Sequence, residues 1–564
     1  MLRRWCMGEW GSRDDGISLT GSVLRGRNMR RGIRLAALVC GAALWLAACT
    51  GAADDRAETS LPPADPTTTT ALTPSTLTTA TTTVTMPSTA PAATTPDAAA
   101  PDGQASTPPP FVTVPADQTP PPPGAGAGDS LYPWLGNSGY DVTHYDLLLD
   151  VDPAANTLSG VTTVHAVSAA ALETIYLDFS GLQVDAVTVD GVAAEHLRER
   201  AELVVKPSTP VPAGASFTVE VAYSGEPQHI DDPGVPYHEI GWFNWEDVIF
   251  TSSEPSGAMS WFPSNNHPTD KATFTIAVTV PAHLTAASTG LLVEESAADG
   301  RRTFTWQMDD PMATYLAAVY IGEFERHVQA SGNSVLIRDY LPSSLTDTDR
   351  QAALDALSVT PDAIAFFERL IGPYPFDAYG TLVLPFSIGF AMENQTLSLH
   401  GDQMLTPLVI AHELAHQWFG NSVSPGDWGD IWLNEGFAHY LALLYVSEHG
   451  GEDLDALMID EWRQARDLRA APPGRIAVEQ LFDIASVYQR SPLSLHALHR
   501  HLGDDTFFEI LRSHYRRSGG GHATTPEFMA LVAQLGGAEA AALLASWLYA
   551  EQMPSLPAWT HQRP

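Results

Sequence analysis

The chain contains very few cysteines and lysines. Its cysteines are Cys6, Cys40 and Cys49, so nothing after residue 49 can form a disulfide or a cysteine-ligated metal site. Lys206 and Lys271 are the only lysines among 564 residues, and the formal net charge is −37. Because nucleic-acid binding needs an extended basic surface, this charge balance excludes nucleic acid as a partner. Because the folded part has no cysteine, any metal site in it must use histidine and carboxylate ligands.

The N-terminal apolar run is too short for an ordinary transmembrane helix. It covers residues 35–48 and follows a cluster of arginines. At 1.5 Å per residue it would span about 21 Å, whereas the hydrocarbon core of a bilayer is roughly 30 Å thick. The basic cluster, the apolar run and the small residues before Cys49 are typical of a secretion signal, with Met29 as the expected start.

The residues around Cys49 read LAAC, which resembles the lipobox of bacterial lipoproteins. The resemblance implies cleavage before Cys49, acylation of its thiol and a lipid anchor in the membrane. An ordinary signal with an incidental cysteine is the alternative. We therefore expect a signal region over residues 1–48 and a lipid-anchored protein on the extracellular face of the cell membrane.

A segment rich in Thr, Pro, Ala and Ser follows, including a threonine run at 67–70 and a proline run at 120–123. This composition cannot build an apolar core, so we predict a disordered tether that, with the acylated cysteine, covers residues 49–129. As a coil, about 80 residues would span roughly 50 Å. Cleavage within the tether would release the folded part.

Between residues 140 and 325 the apolar residues alternate as they do in strands. In 272–280 the larger apolar side chains fall at every second position, which places them on one face. Gly, Asp or Pro separates many of the similar runs, which are 145–151, 174–179, 217–223 and 315–321. These runs predict a β-sandwich domain over residues 130–325.

After about residue 350 the apolar spacing becomes helical. The helical stretches lie near residues 351–370, 404–420, 430–449, 490–516 and 525–551. The sequence therefore predicts an α+β multidomain protein, in which a mainly helical domain over residues 326–564 follows the sandwich.

The segment 412–416 reads HELAH and lies in an apolar stretch of helical character. Positions four apart share a helix face, so His412 and His416 can bind one ion while Glu413 faces the same cleft. Glu435 lies 19 residues beyond His416, at the start of another apolar helix. Two histidines and one glutamate leave a fourth zinc position open, as catalytic sites do. We predict one Zn²⁺ per chain, bound by His412, His416 and Glu435.

This ligand set predicts hydrolysis of a peptide or ester. Zinc lowers the pKa of its water to about 7, and Glu413 would accept the proton as that water attacks a carbonyl carbon. His496, His499 and His501 lack such companions in the sequence, and we expect them to be packing or surface residues.

The sequence resembles the aminopeptidase N family of gluzincin metallopeptidases over about residues 131–564. The motif that carries this resemblance is HELAH, followed after eighteen residues by the Glu of WLNEGFA at 432–438. The resemblance implies a β-sandwich followed by a thermolysin-like catalytic domain. It also implies an enzyme that removes N-terminal residues from peptides with a free N-terminus. Larger relatives carry a further helical domain over the cleft, and only 129 residues follow Glu435 here, so we expect a more open site.

Two glutamates resemble the family's anchors for the substrate's amino group. The segment 390–394 reads FAMEN and is similar to the family's GxMEN, which implies that Glu393 binds the free α-amine; Phe390 stands at the usual glycine. Glu254, followed by Pro255, is similar to the segment that reaches the site from the sandwich domain. This similarity implies that Glu254 is a second carboxylate for the amine.

Tyr488 looks like the family's tyrosine that donates a hydrogen bond to the tetrahedral oxyanion, with Ser491 and Pro492 where Gly-Ala is usual. Our first interpretation is a zinc aminopeptidase. The alternatives are a zinc endopeptidase or other zinc hydrolase with altered N-terminal recognition, and a non-catalytic zinc-binding surface module. A comparison of N-acetylated with free peptides separates the first two, and a general base is superfluous in the third.

Overall fold

The computed structural model describes residues 112–113, 124–332 and 334–556. The predicted signal region, Cys49 and most of the predicted tether lie outside these residues. The folded part begins earlier than the predicted boundary at residue 130, because Ala125 is buried and bridges Asn137. Asp129 is also buried, and its carboxylate accepts the backbone N–H of Trp428 at 2.7 Å.

An eight-stranded sheet forms the centre of the N-terminal domain. In sheet order its strands are Leu291–Ala298, Arg301–Met312, Ala272–Pro281, Tyr140–Asp152, Thr157–Ser168, Ser216–Gly225, Gln183–Val189 and Val192–Ala193. Neighbours are antiparallel except for the third and fourth strands, Ala272–Pro281 and Tyr140–Asp152, which pair in parallel with Tyr145 opposite Phe274. The alternation predicted for 272–280 is confirmed, since buried and half-buried side chains alternate along this strand.

Two further sheets complete this domain. The smaller one contains Ile175–Asp178, Glu202–Lys206 and Glu195–Glu199. The larger one contains Val112–Thr113, Ile230–Asp231, Glu239–Trp245, Val248–Ser252, Val319–Gly322 and Thr285–Ser288. Its strand Val248–Ser252 ends two residues before Glu254, so this sheet positions that glutamate.

A fourth sheet, which the sequence did not predict, precedes most of the helices. Its strands in order are Phe324–Gln329, Leu336–Pro342, Thr381–Val383, Ser398–His400 and Ala391–Met392, with Ala378–Tyr379 beside the second. The edge strand Ala391–Met392 runs antiparallel to Ser398–His400 and directly precedes Glu393.

The rest of the described chain is mainly helical. Its α-helices are α1 (Asp347–Leu357), α2 (Thr360–Leu370), α3 (Pro407–Ala415), α4 (Trp432–Glu448), α5 (Leu454–Asp467), α6 (Arg490–Leu502), α7 (Asp504–Ser518), α8 (Thr525–Gly536) and α9 (Ala538–Tyr549). A short π-helix, Ile484–Gln489, leads into α6. The 3₁₀ turns are Gly257–Ser260, Thr314–Leu316, Trp428–Asp430, Pro473–Arg475 and Val478–Gln480, and Val423–Pro425 pairs in parallel with Gly521–Ala523.

One hydrophobic core includes residues of both parts, among them Trp306 of the central sheet and Trp418 after α3. The predicted order, a β-rich domain followed by a mainly helical one, is confirmed. Among the described residues, no helix combines the length and apolarity needed to cross a bilayer.

Candidate active site and metal centre

Helices α3 and α4 position the predicted metal ligands. The side chain of Thr406 accepts the N–H of Val409 and Pro407 occupies the first turn, two features that favour a helix start. His412 and Glu413 lie on α3, and His416 is the residue that ends it. On α4, Glu435 lies in the first turn of a helix whose residues are buried from Trp432 to Tyr445. Burial of both helices therefore fixes the ligand positions.

The three predicted ligands converge. The Nε2 atoms of His412 and His416 lie 3.0 Å apart. Oε2 of Glu435 lies 3.2 Å from the first and 3.4 Å from the second. Nδ1 of His416 lies 3.2 Å from the Phe419 carbonyl, a bond that turns Nε2 towards the other two ligands. Two ring nitrogens and a carboxylate oxygen thus share one point, as ligands of a single ion do.

The chemistry of this donor set fits a divalent cation. Ligand atoms of His412, His416 and Glu435 all lie within 4.8 Å of one another. The Glu435 side chain that reaches this point is buried. Burying a carboxylate without compensation is costly, so a cation at this point would stabilise the Glu435 carboxylate. Two histidines, one carboxylate and no cysteine are the donors that catalytic zinc uses.

The electrostatics of the site also favour positive charge. Burial lowers the pKa of His412 to about 4. Burial would lower the pKa of His416 too, but the carboxylates of Glu435 and Glu393 outweigh it and raise that pKa to about 10. Burial likewise opposes ionisation of Glu435, yet the charge of His416 and hydrogen bonds from both histidines hold its pKa below the usual range. The site therefore attracts a cation.

The remaining predicted residues surround the ligands. Ligand atoms of Glu393, Glu413 and His416 form a second group within 4.8 Å of one another. Burial, followed by the charge of Glu393, raises the pKa of Glu254 well above its usual range, so these carboxylates are neighbours. Burial also raises the pKa of Glu413.

Tyr488 lies on the π-helix, with its ring centroid 6.1 Å from that of His412. Burial and then the charge of Glu435 raise the pKa of Tyr488 well above its usual range, so the phenol keeps its proton and can donate it in a hydrogen bond. The structure thus brings together all seven residues that the sequence singled out. Their chemical roles stay predictions.

Comparison with known proteins identifies the family. Residues 142–316 match the model described as the peptidase M1 N-terminal domain, and residues 355–547 match that of the peptidase family M1 domain. An M1 zinc metallopeptidase from Deinococcus radiodurans, solved as a variant bound to a Tyr-Ser-Ala substrate, is 34% identical. It superposes with a TM-score of 0.69 over 77% of this chain and 99% of that one. The chain belongs to peptidase family M1.

Two further relatives extend this M1 comparison. The human endoplasmic reticulum aminopeptidase 1 is 27% identical over 64% of this chain, and aminopeptidase N of Lactobacillus delbrueckii subsp. lactis is 27% identical over 67%. The matches cover 42% and 47% of those two proteins, so the chain spans less than half of their length. The family assignment implies zinc, which agrees with the donor set.

The departure from the M1 pattern at Phe390 has a local explanation. Phe390 stands at the usual glycine, but the neighbouring Gly389 has the positive φ of 81°. The turn therefore has its glycine one position earlier, and Phe390 adopts ordinary backbone angles. Ser491, which stands where the family usually has Gly-Ala, packs closely against Gly436. A Cβ on Gly436 would meet the Cβ of Ser491 at 2.6 Å, so α4 and α6 touch beside Glu435 and hold the π-helix of Tyr488 against the site.

Sequence reasoning gave no role to Gln417 and Asn421, which lie in the turn after α3. Both are fully buried, and both side chains bond the backbone of Glu393. The available signal was two amide residues in an otherwise apolar stretch beside HELAH. An amide in such a position needs partners, which the sequence alone does not identify.

Proposed function

We propose that this M1 protein is a zinc aminopeptidase that binds one Zn²⁺ through His412, His416 and Glu435. The observation that carries the proposal is the meeting of two ring nitrogens and a carboxylate oxygen at one point. The M1 zinc metallopeptidases of known structure, bound to a peptide and to L-tryptophan, support peptide substrates.

In this proposal Glu413 is the general base. Zinc, when bound, supplies a Lewis acid that activates water and polarises the scissile carbonyl. Glu413 takes a proton from the attacking water at its carboxylate and passes it to the leaving amine. Tyr488 donates its phenolic hydrogen to the oxygen that becomes negative, and its raised pKa suits a donor.

Glu393 and Glu254 would make the enzyme an exopeptidase. Each has a buried carboxylate oxygen with no hydrogen-bond partner in the described chain. A peptide's N-terminal ammonium supplies the hydrogens and the charge that both oxygens need. Holding the ammonium at a fixed distance from the metal ligands would select the first peptide bond for cleavage.

The first experiment measures zinc content and the hydrolysis of a panel of aminoacyl amides, before and after chelation. Chelation should abolish hydrolysis and added zinc should restore it. Glu413→Gln should keep zinc and lose turnover, whereas cleavage at the wild-type rate by this variant would contradict the base assignment. Glu393→Ala should chiefly harm peptides with a free amine; equal loss on N-acetylated peptides would support the endopeptidase alternative.

We also propose a lipid anchor on Cys49 and a location on the extracellular face of the membrane. Support comes from the LAAC sequence and the apolar run before it. Cys49→Ser should move the protein from the membrane fraction to the soluble fraction. Unchanged membrane association would exclude the anchor.

A further inference from the structure

We infer that Gln417 and Asn421 form an amide clamp that positions the backbone of Glu393 relative to the metal ligands, and so sets the selectivity for a free N-terminus. The inference rests on the proposed function, since it concerns the anchor for the peptide's ammonium. Both residues are positioning residues, because neither contacts the reacting atoms.

The clamp acts on one carbonyl oxygen. Nδ2 of Asn421 donates to the Glu393 carbonyl at 2.7 Å, and Nε2 of Gln417 donates to the same oxygen at 3.1 Å. The Glu393 carboxylate, by contrast, has a buried oxygen without a hydrogen-bond partner in the described chain. The backbone bonds therefore fix this residue, and its carboxylate is left available for a ligand.

Gln417 also holds the far end of the same turn. Its Oε1 accepts the N–H of Thr396 at 2.9 Å. Thr396 has a φ of 67°, a left-handed conformation that a β-branched residue adopts only when its surroundings enforce it. The Gln417 amide thus makes the two backbone hydrogen bonds that a neighbouring strand would otherwise make: it donates to the Glu393 C=O and accepts the Thr396 N–H.

The other side of the clamp is tied to the metal ligands. The N–H of Asn421 donates to the His416 carbonyl at 3.0 Å. Gly420, at φ 127°, allows this turn, because a Cβ there would approach Nδ1 of His416 to 3.1 Å. Gln417 follows His416 directly in the chain. The proposed zinc ligand His416 and the proposed amine anchor Glu393 are therefore linked by a single side-chain hydrogen bond, that of Gln417.

The N-terminal domain supports this turn from outside. Nζ of Lys271 donates to the carbonyls of Asn421 and Ser422 at 2.7 and 2.9 Å. Lys271 lies next to the strand Ala272–Pro281 of the central sheet. The clamp is thus fixed to both domains, and a change in it should shift Glu393 without unfolding either.

The test uses a pair of metal-directed ligands that differ only in the α-amine: leucine hydroxamate and 4-methylpentanehydroxamate. Their dissociation constants for the zinc-loaded full chain are measured by calorimetry, together with zinc content and thermal unfolding. Wild type should prefer the amine-bearing ligand. Gln417→Met and Asn421→Leu keep similar shapes, and each removes one donor to the Glu393 carbonyl; Gln417→Met also removes the acceptor of the Thr396 N–H. Each should reduce that preference about three- to tenfold.

The fold reduction in preference should be larger in the double variant than the product of the two single fold reductions. Both donors bond the Glu393 carbonyl oxygen, and only their joint loss leaves that oxygen unpaired. Binding of the amine-free ligand and zinc content should not change. Gln329→Met is the matched control. Nε2 of Gln329 donates to Oδ2 of Asp339 at 2.6 Å and to the Leu357 carbonyl at 3.2 Å, and it bonds no predicted site residue, so this variant should keep the full preference.

An unchanged preference in the double variant, or equal weakening of both ligands, would overturn the clamp. If the double variant fails to fold, the two single variants decide, since each leaves the carbonyl one donor. Failure of the proposed function looks different: wild type would bind both hydroxamates equally or would not hydrolyse aminoacyl amides. Calorimetry still tests the clamp when hydrolysis is absent, because it needs no turnover.

Discussion

Two histidine pairs in the helical domain resemble each other in sequence but differ in their partners. His412 and His416 are four residues apart at the end of α3, and His496 and His499 are three apart on α6. Helical spacing puts each pair on one face, and each lies beside carboxylates. In the first pair the two Nε2 atoms face each other and share Glu435.

In the second pair every ring nitrogen has a hydrogen-bond partner outside the pair. His496 and His499 place Nε2 2.9 Å from Asp455 and from Asp504, respectively. Their Nδ1 atoms lie 3.3 and 2.7 Å from the hydroxyl of Tyr440. This network satisfies its members without a metal. Spacing therefore does not identify a metal site, whereas buried nitrogens that converge on a shared carboxylate do.

The largest expected effect is on zinc binding. His416→Ala should lose the zinc, and its activity should fall about a thousandfold or more, since a Lewis acid contributes several kcal/mol to the transition state. His499→Ala should keep both zinc and activity. Metal analysis of the two purified variants checks this, and zinc loss from His499→Ala would remove the contrast between the pairs.

The two tyrosines next to these pairs should differ almost as strongly. Tyr488→Phe should keep zinc and lower kcat about 100- to 1000-fold, as removal of an oxyanion donor does. Tyr440→Phe, on the other cluster, should leave kcat unchanged. Steady-state kinetics on one aminoacyl amide provide the measurement, and a normal kcat for Tyr488→Phe would refute its role as a donor.

His514 differs from both pairs because its neighbours are aromatic rings, and it should make the stability of the protein depend on pH. His514 packs against the rings of Phe419, Phe437 and Phe528, and burial lowers its pKa to about 4. Between about 4 and the unfolded value near 6.5, the unfolded chain binds more protons than the folded one, so the free energy of unfolding falls as pH drops, by up to about 3 kcal/mol.

His514→Phe should therefore flatten this acid-side loss of stability, whatever its stability at neutral pH. Urea unfolding of both proteins at several pH values across the window measures the slope. Equal slopes would show that another group titrates there.

The smallest expected effect is on the stability of the second cluster. Tyr440→Phe removes the hydroxyl that both Nδ1 atoms approach, and it should lower the free energy of unfolding by about 1–3 kcal/mol. Chemical denaturation compares it with wild type. A change below about 0.5 kcal/mol would mean that the histidines find other partners.

The helices could be predicted from the sequence better than their ends could. The stretch predicted near 490–516 is two helices broken at Gly503, with φ 73°, and that near 525–551 is broken at Gly537, with φ 90°. Apolar spacing continues through both breaks, so periodicity alone does not show them. Helix α5 was missed because few of its side chains are buried.

The fourth sheet could not be predicted, because strands such as Thr381–Val383 and Ala391–Met392 are too short to show alternation. Their positions depend on the neighbours with which they pair. The same limit applied to the amide clamp: the ligands His412, His416 and Glu435 have a recognisable spacing, whereas the partners of Gln417 and Asn421 are chosen by the fold.

The surplus of buried carboxylate in the site links folding to the surroundings of the protein. Glu435, Glu393, Glu254 and Glu413 crowd around two imidazoles, so an ion that binds only the folded chain stabilises it by mass action. Resistance to unfolding then rises with the logarithm of the free zinc concentration. A protein of this kind would survive longer where zinc is plentiful, and scarcity would shorten its lifetime as well as slow its chemistry.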